Sequence, residues 1–242
     1  MAKRKQVAPR GRTSRHEVDA GTEALLTPMS RAPARQPLEA RSETQKRYIS
    51  AIKSHDVIFG IGPAGGGKTY VPTALAAEAL MDKRIERIVI TRPAVECDEQ
   101  FGFIPGEIED KYEPYLQPFR QTFIERMGKG PFEYALKAGR IAPMPLAFMR
   151  GITFNDCWVL LDEAQNLTHK QFKMFLTRIG ENCKVIISGD PDQDDIGGGG
   201  LPDAVRRTSS IRGFKVVEFT VKDVVRSGIC MEVLKAYETP RG

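Results

Sequence analysis

Cysteine, histidine and tryptophan are scarce: four, three and one among 242 residues. Cys97, Cys157, Cys183 and Cys230 lie far apart, and with His16, His55 and His169 they show no metal-ligand spacing. This argues against a thiolate or imidazole metal centre and against a disulfide framework, and leaves reduced, mostly structural thiols. Long apolar runs are also missing. None approaches the ~20 residues of a membrane-spanning helix, and the amino terminus has charges without the apolar centre of a signal peptide. A cytoplasmic protein with no membrane partner is expected. No internal repeat is apparent.

With 41% hydrophobic residues the chain can bury one sizeable core. The net charge of +5 is placed unevenly. Residues 1–41 hold nine Lys/Arg against four Asp/Glu, and the remaining chain balances at 27 of each. Few aromatics and no periodicity accompany that excess, so residues 1–41 read as a disordered basic arm. Such an arm would add affinity for RNA or DNA through counterion release, or would simply keep the chain soluble.

From residue 42 to 242 apolar runs alternate with helical stretches, which predicts a single α/β domain with a mostly parallel sheet flanked by helices. The expected strands are Val57–Ile61, Arg87–Thr91, Cys157–Leu161, Lys184–Ser188 and Lys215–Thr220. A long insertion from Glu96 to Phe154 should hold helices near Glu107–Met127 and Phe132–Gly139, then an edge strand at Leu146–Met149.

Directly after the first strand, Gly62, Pro63, Ala64, Gly65, Gly66, Gly67, Lys68 and Thr69 fit the phosphate-loop pattern GxxxxGK[ST]. A loop that wraps a triphosphate turns its N–H groups inward through conformations a Cβ would obstruct, hence the glycines. Lys68 would reach the β- and γ-phosphates and Thr69 a Mg²⁺ ion, with the loop's reach extending to Tyr70. The helix that follows should present its amino-terminal amides to the phosphates. Pro72 predicts a kink or a late start in that helix.

The run Cys157–Leu161 ends in Asp162 and Glu163. A carboxylate at the end of a buried strand can hold Mg²⁺, which suits Asp162. Glu163 would orient and deprotonate the attacking water. Past the next strand, Gln193 is placed to sense the γ-phosphate. Gly197–Gly200 suggest either a mobile loop or a plain flexible connector.

Taken in order, these segments resemble the PhoH family of ATPases, whose core is similar to the first motor domain of superfamily 1 helicases. The stretches that carry the resemblance are Thr91–Phe119, Leu146–Asn166 and Lys173–Asp195. The resemblance implies a RecA-like P-loop NTPase that binds ATP with Mg²⁺. It also implies a nucleobase-gripping role for Gln45 and contacts to a nucleic-acid strand from Arg92 and Arg150. Arg226 would be an arginine finger supplied by a neighbouring subunit, which implies a ring-shaped homo-oligomer such as a hexamer. The chain departs from the family pattern at Gly66, where a threonine is common, at Ile152, and at Ser227–Cys230. The expected function is Mg²⁺-dependent ATP hydrolysis coupled to RNA or single-stranded DNA. A nucleotide-gated scaffold is the rival reading, and a small-molecule kinase fits the carboxylate pair less well.

Overall fold

A computed structural model describes residues 37–93 and 108–224. Among them are six strands, β1 (Val57–Ile61), β2 (Arg87–Thr91), β3 (Ile141–Pro143), β4 (Cys157–Leu161), β5 (Lys184–Gly189) and β6 (Phe214–Glu218). Every pairing is parallel, in the order β3-β2-β4-β5-β1-β6. A parallel sheet is covered on both faces, so its inner strands are apolar at successive positions. In β4 all five residues are buried.

Alternate residues feed two cores. Ile58, Ile90, Leu160 and Ile186 pack beneath α1 (Glu43–Ser54), α2 (Tyr70–Met81), α3 (Ile108–Met127) and α4 (Lys129–Lys137). Phe59, Val89, Val159 and Ile187 face α5 (His169–Leu176) and α6 (Gly200–Thr208). Because all strands run the same way, β1, β2, β4 and β5 deliver their following residues to one end of the sheet, where open α/β sheets bind ligands.

Two expectations are corrected. Leu146–Met149 forms a 3-10 turn, not a strand: Leu146 and Met149 are buried three residues apart, which suits a period of three. The edge strand lies just before it, at β3, whose last residue Pro143 is tolerated because an edge needs no N–H there. Helix α2 is neither late nor broken; it starts at Tyr70, and Pro72 occupies its first turn. In the Gly197–Gly200 segment, Gly197 and Gly199 take positive φ, 62° and 54°. Asp194 accepts from the Gly199 and Ile196 N–H groups, and Gly200 opens α6 against the Leu167 carbonyl, where a Cβ would lie 1.9 Å from that oxygen.

Residues 37–41, assigned by sequence to the arm, lead into α1. Its amino terminus is capped by Ser42, whose Oγ accepts from the Gln45 N–H at 3.1 Å.

Candidate functional site

Strand β1 enters the loop at Gly62 with φ of 122°, and a Cβ there would lie 2.1 Å from the Phe219 carbonyl oxygen. Only glycine permits that close approach of the chain leaving β6. Gly66 is likewise covered: a Cβ would meet the Phe219 ring at 2.8 Å. The space a threonine would use is therefore filled by Phe219. At the loop's end Lys68 is buried, and its Nζ donates to the carbonyls of Gly62 (2.5 Å) and Pro63 (2.7 Å).

Pro72 has no N–H to offer the Lys68 carbonyl four residues earlier. Two buried hydroxyls bond that carbonyl instead, Ser188 Oγ at 2.9 Å and Tyr48 Oη at 3.3 Å. The proline thus converts a helix carbonyl into a tie between the loop, β5 and α1. Gln45 makes a further tie. Its Nε2 donates to the Gly66 carbonyl (2.9 Å) and its Oε1 accepts from the Arg41 N–H (2.8 Å). Both ends of the amide expected to grip a nucleobase are engaged within the protein, so Gln45 supports the loop from α1.

At the next position Thr69 Oγ1 donates to Asp162 Oδ1 at 3.1 Å. Burial, and then the neighbouring Glu163 carboxylate, push the Asp162 pKa up to about 6. An added cation would relieve both effects. The pair presents hard oxygen donors, one hydroxyl and one carboxylate, which suits Mg²⁺.

Glu163 adopts the left-handed region, φ 51° and ψ 40°, uncommon for a residue with a side chain. Its Oε1 pairs with Arg92 Nη2 at 3.4 Å, and its Oε2 accepts from Gln165 Nε2 at 2.7 Å. Gln165 is 2% exposed, and its Oε1 accepts the Asp190 N–H at 3.0 Å. One side chain therefore links the end of β4 to the loop after β5. Within that loop Gln193 Nε2 donates to Asp190 Oδ2 at 2.6 Å. Asn166 and Asp195 add a two-way bond between the same segments, at 3.2 and 3.1 Å.

These groups surround a cleft of about 440 Å³. Its walls include Ala64, Gly65, Gly67, Lys68, Thr69 and Tyr70 from the loop and the start of α2, with Gln45, Asp162, Glu163 and Gln193. Gly62, Pro63 and Gly66 stand behind that wall, the first two as acceptors for Lys68 and the third as the acceptor for Gln45. Arg92 reaches the site through Glu163. Arg150 is exposed and is not among the residues lining the cleft, and Arg226 lies outside the described residues.

Sequence reasoning missed Glu39, Arg41 and Glu125 in the cleft, and the positioning roles of Tyr48, Gln165, Ser188 and Asp190. Gln165 was within reach, because it sits two residues after Glu163 at a strand end. Glu125, which accepts from Tyr70 Oη at 2.8 Å, had no sequence signal.

The family described as PhoH-like protein matches residues 37–238. Protein PhoH of Escherichia coli strain K12 is 45% identical over 206 residues, covering 83% of this chain and 58% of that protein. The PhoH-like protein of Bacillus subtilis strain 168 is 42% identical over 204 residues, covering 83% of this chain and 64% of that protein. The chain thus spans about three fifths of the length of these relatives. Among solved structures, the large terminase of a thermophilic bacteriophage in complex with ADP aligns with a TM-score of 0.51 at 13% identity, covering 83% of this chain and 50% of that one. At that identity the likeness concerns the fold.

Proposed function

This chain belongs to the PhoH-like protein family, and from that premise and the geometry of its cleft we propose that it is a Mg²⁺-dependent ATPase that works on RNA or single-stranded DNA. The observation that carries the reading is the Thr69–Asp162 contact, 3.1 Å across 93 residues, beside a phosphate loop with buried Lys68 and next to Glu163. The terminase solved with ADP adds that a chain of this fold can hold an adenine nucleotide.

The loop amides and Lys68 would bind the phosphates, the ammonium exchanging the Gly62 and Pro63 carbonyls for phosphate oxygens. Thr69 and Asp162 would hold the Mg²⁺, which supplies charge neutralisation at the phosphates. Glu163 would take a proton from the attacking water while Gln165 and Arg92 fix its two oxygens. Gln193, tethered to Asp190, would swing towards the γ-phosphate.

Arg92 links catalysis to a nucleic-acid strand in this scheme. A strand phosphate competing for the guanidinium would free Glu163 Oε1. Arg226 acting in a neighbour's site, in a homo-oligomeric ring, completes the proposal, and a bacterial or phage-infected cytoplasm is the setting.

The test is steady-state ATP hydrolysis by the full chain with and without single-stranded RNA or DNA, beside Lys68→Ala and Glu163→Gln. Stimulation by one polymer and a loss of at least about 10²-fold in kcat for Glu163→Gln are expected, the scale of general-base catalysis. Unchanged turnover in Lys68→Ala would sink the site assignment. Hydrolysis indifferent to both polymers would favour the nucleotide-gated scaffold.

A further inference from the structure

The two helical layers differ in charge. On the α1–α4 side basic residues stand beside acids, as in Lys46–Glu43, Arg120–Glu113 and Lys129–Glu133. On the other side two cation-bearing stretches are bounded by acids, Asp156 and Glu181. Residues 144–155 and 167–180 contain Arg150, Lys170, Lys173 and Arg178 and no Asp or Glu. These segments pack together, since Leu146 and Met149 of the 3-10 turn share a core with Phe172 and Phe175 of α5. Alongside, α6 brings Arg206 and Arg207 against a single carboxylate, Asp203, which is already paired with both arginines and with His169. A groove of about 550 Å³ runs between α5 and α6, with Phe172, Leu176 and Ala204 in its wall and Lys170, Lys173 and Arg207 beside them.

The turn that packs against α5 also carries an aromatic ring with no burial to justify it. Phe148 is 61% exposed although Leu146 and Met149, on either side, are 7% and 0% exposed. Those two anchors and the Phe148 N–H bond to the Pro145 carbonyl (3.0 Å) fix the turn, so the ring is held out by a rigid support. The turn also departs from the ligand end of the sheet: the Met144 N–H donates to the Ile90 carbonyl at 2.8 Å, two residues before Arg92. An exposed ring on a turn that packs against a lysine-bearing helix is a combination that suits single strands, where bases stack on aromatics and phosphates meet Lys and Arg.

We propose that the outer face of the 3-10 turn, α5 and α6 is a track for single-stranded nucleic acid, with Phe148 stacking on a base and Arg150, Lys170 and Lys173 meeting the phosphates. The track rests on the nucleic-acid coupling advanced above and adds to it residues that do not line the ATP cleft. Phe148, Lys170 and Lys173 are not part of the cleft, so their substitution leaves basal ATP hydrolysis unchanged.

The experiment is fluorescence anisotropy of labelled oligouridine and oligothymidine with the full chain, over a series of salt concentrations. Phe148→Ala should weaken binding by about 5- to 150-fold, the range for loss of one stacked base, with the salt dependence intact. The double variant Lys170→Gln/Lys173→Gln should instead lower the slope of log affinity against log salt by about 1.4, roughly 0.7 per phosphate contact on a single strand. Phe148→Trp should keep affinity and show indole quenching on binding, readable because the chain's one tryptophan, Trp158, is buried.

If the unaltered chain binds and these variants bind identically, the track is wrong and the nucleic-acid reading stands. A chain that binds neither polymer overturns both, and the face then becomes a protein contact.

Discussion

Replacing Asp162 with asparagine should raise the stability of the metal-free protein while disabling its chemistry. The carboxylate is 7% exposed, and its pKa rises from 3.8 to about 6 through burial and the adjacent Glu163 charge. Taking the unfolded chain at the ordinary value, a rise of about two units corresponds to about 3 kcal/mol of penalty on the ionised form. The sign follows from proton uptake. Below about pH 4 both states carry the proton and the group contributes nothing. Between about pH 4 and 6 the unfolded chain ionises while the folded one stays protonated, so stability falls as pH rises. Above about pH 6 the full penalty applies. Asparagine keeps an oxygen for the Thr69 hydroxyl and never ionises.

At about 2–4 °C per kcal/mol for a chain of this size, Asp162→Asn should melt roughly 6–12 °C higher than the unaltered protein at about pH 8 in EDTA. That gap should close as pH falls to about 4, because the other titrating groups cancel in the difference. With Mg²⁺ and ATP in excess the order should shrink or reverse, since ligand binding stabilises only the chain that can hold the metal. Equal melting temperatures in EDTA at the alkaline end, or a gap independent of pH, would refute the reasoning.

Three further substitutions probe the ties around the cleft. Gln165→Leu removes the donor to Glu163 and leaves the buried Asp190 N–H without its acceptor; kcat for ATP should fall on the order of 10²-fold with KM little changed, whereas a defect confined to KM would show that Gln165 does not position the base. Ser188→Ala should lower stability by about 1 kcal/mol in urea unfolding. With Tyr48→Phe added, the Lys68 carbonyl loses both hydroxyls, and the double variant should lose more than the sum of the two single changes.

Local chemistry makes much of this legible. The phosphate loop is eight consecutive residues, Gly62–Thr69, whose meaning lies in their own backbone and in the strand before them. Asp162 and Glu163 follow an apolar strand that announces itself by burial on both faces. The strands are likewise visible except at the sheet edges. There β3 is three residues long and ends in proline, and the apolar run Leu146–Met149 is anchored at two points and open at Phe148, a pattern that strand alternation misreads. Pro72 misleads in another way. Its cost looks high when only the helix is considered, but the carbonyl that loses its helix donor belongs to Lys68 and is satisfied by hydroxyls from α1 and β5.

The sequence by itself determined the parallel α/β class, the phosphate loop and the two carboxylates, because each is written in residues adjacent along the chain. Only the tertiary structure decided what holds them. Ser188 reaches Lys68 across 120 residues and Arg92 reaches Glu163 across 71. Gln45, which lines the cleft, also donates to the loop at Gly66, since a glutamine's partners are chosen by what the fold brings within about 3 Å of its amide. Such pairings depend on strand order and register, which no local pattern encodes.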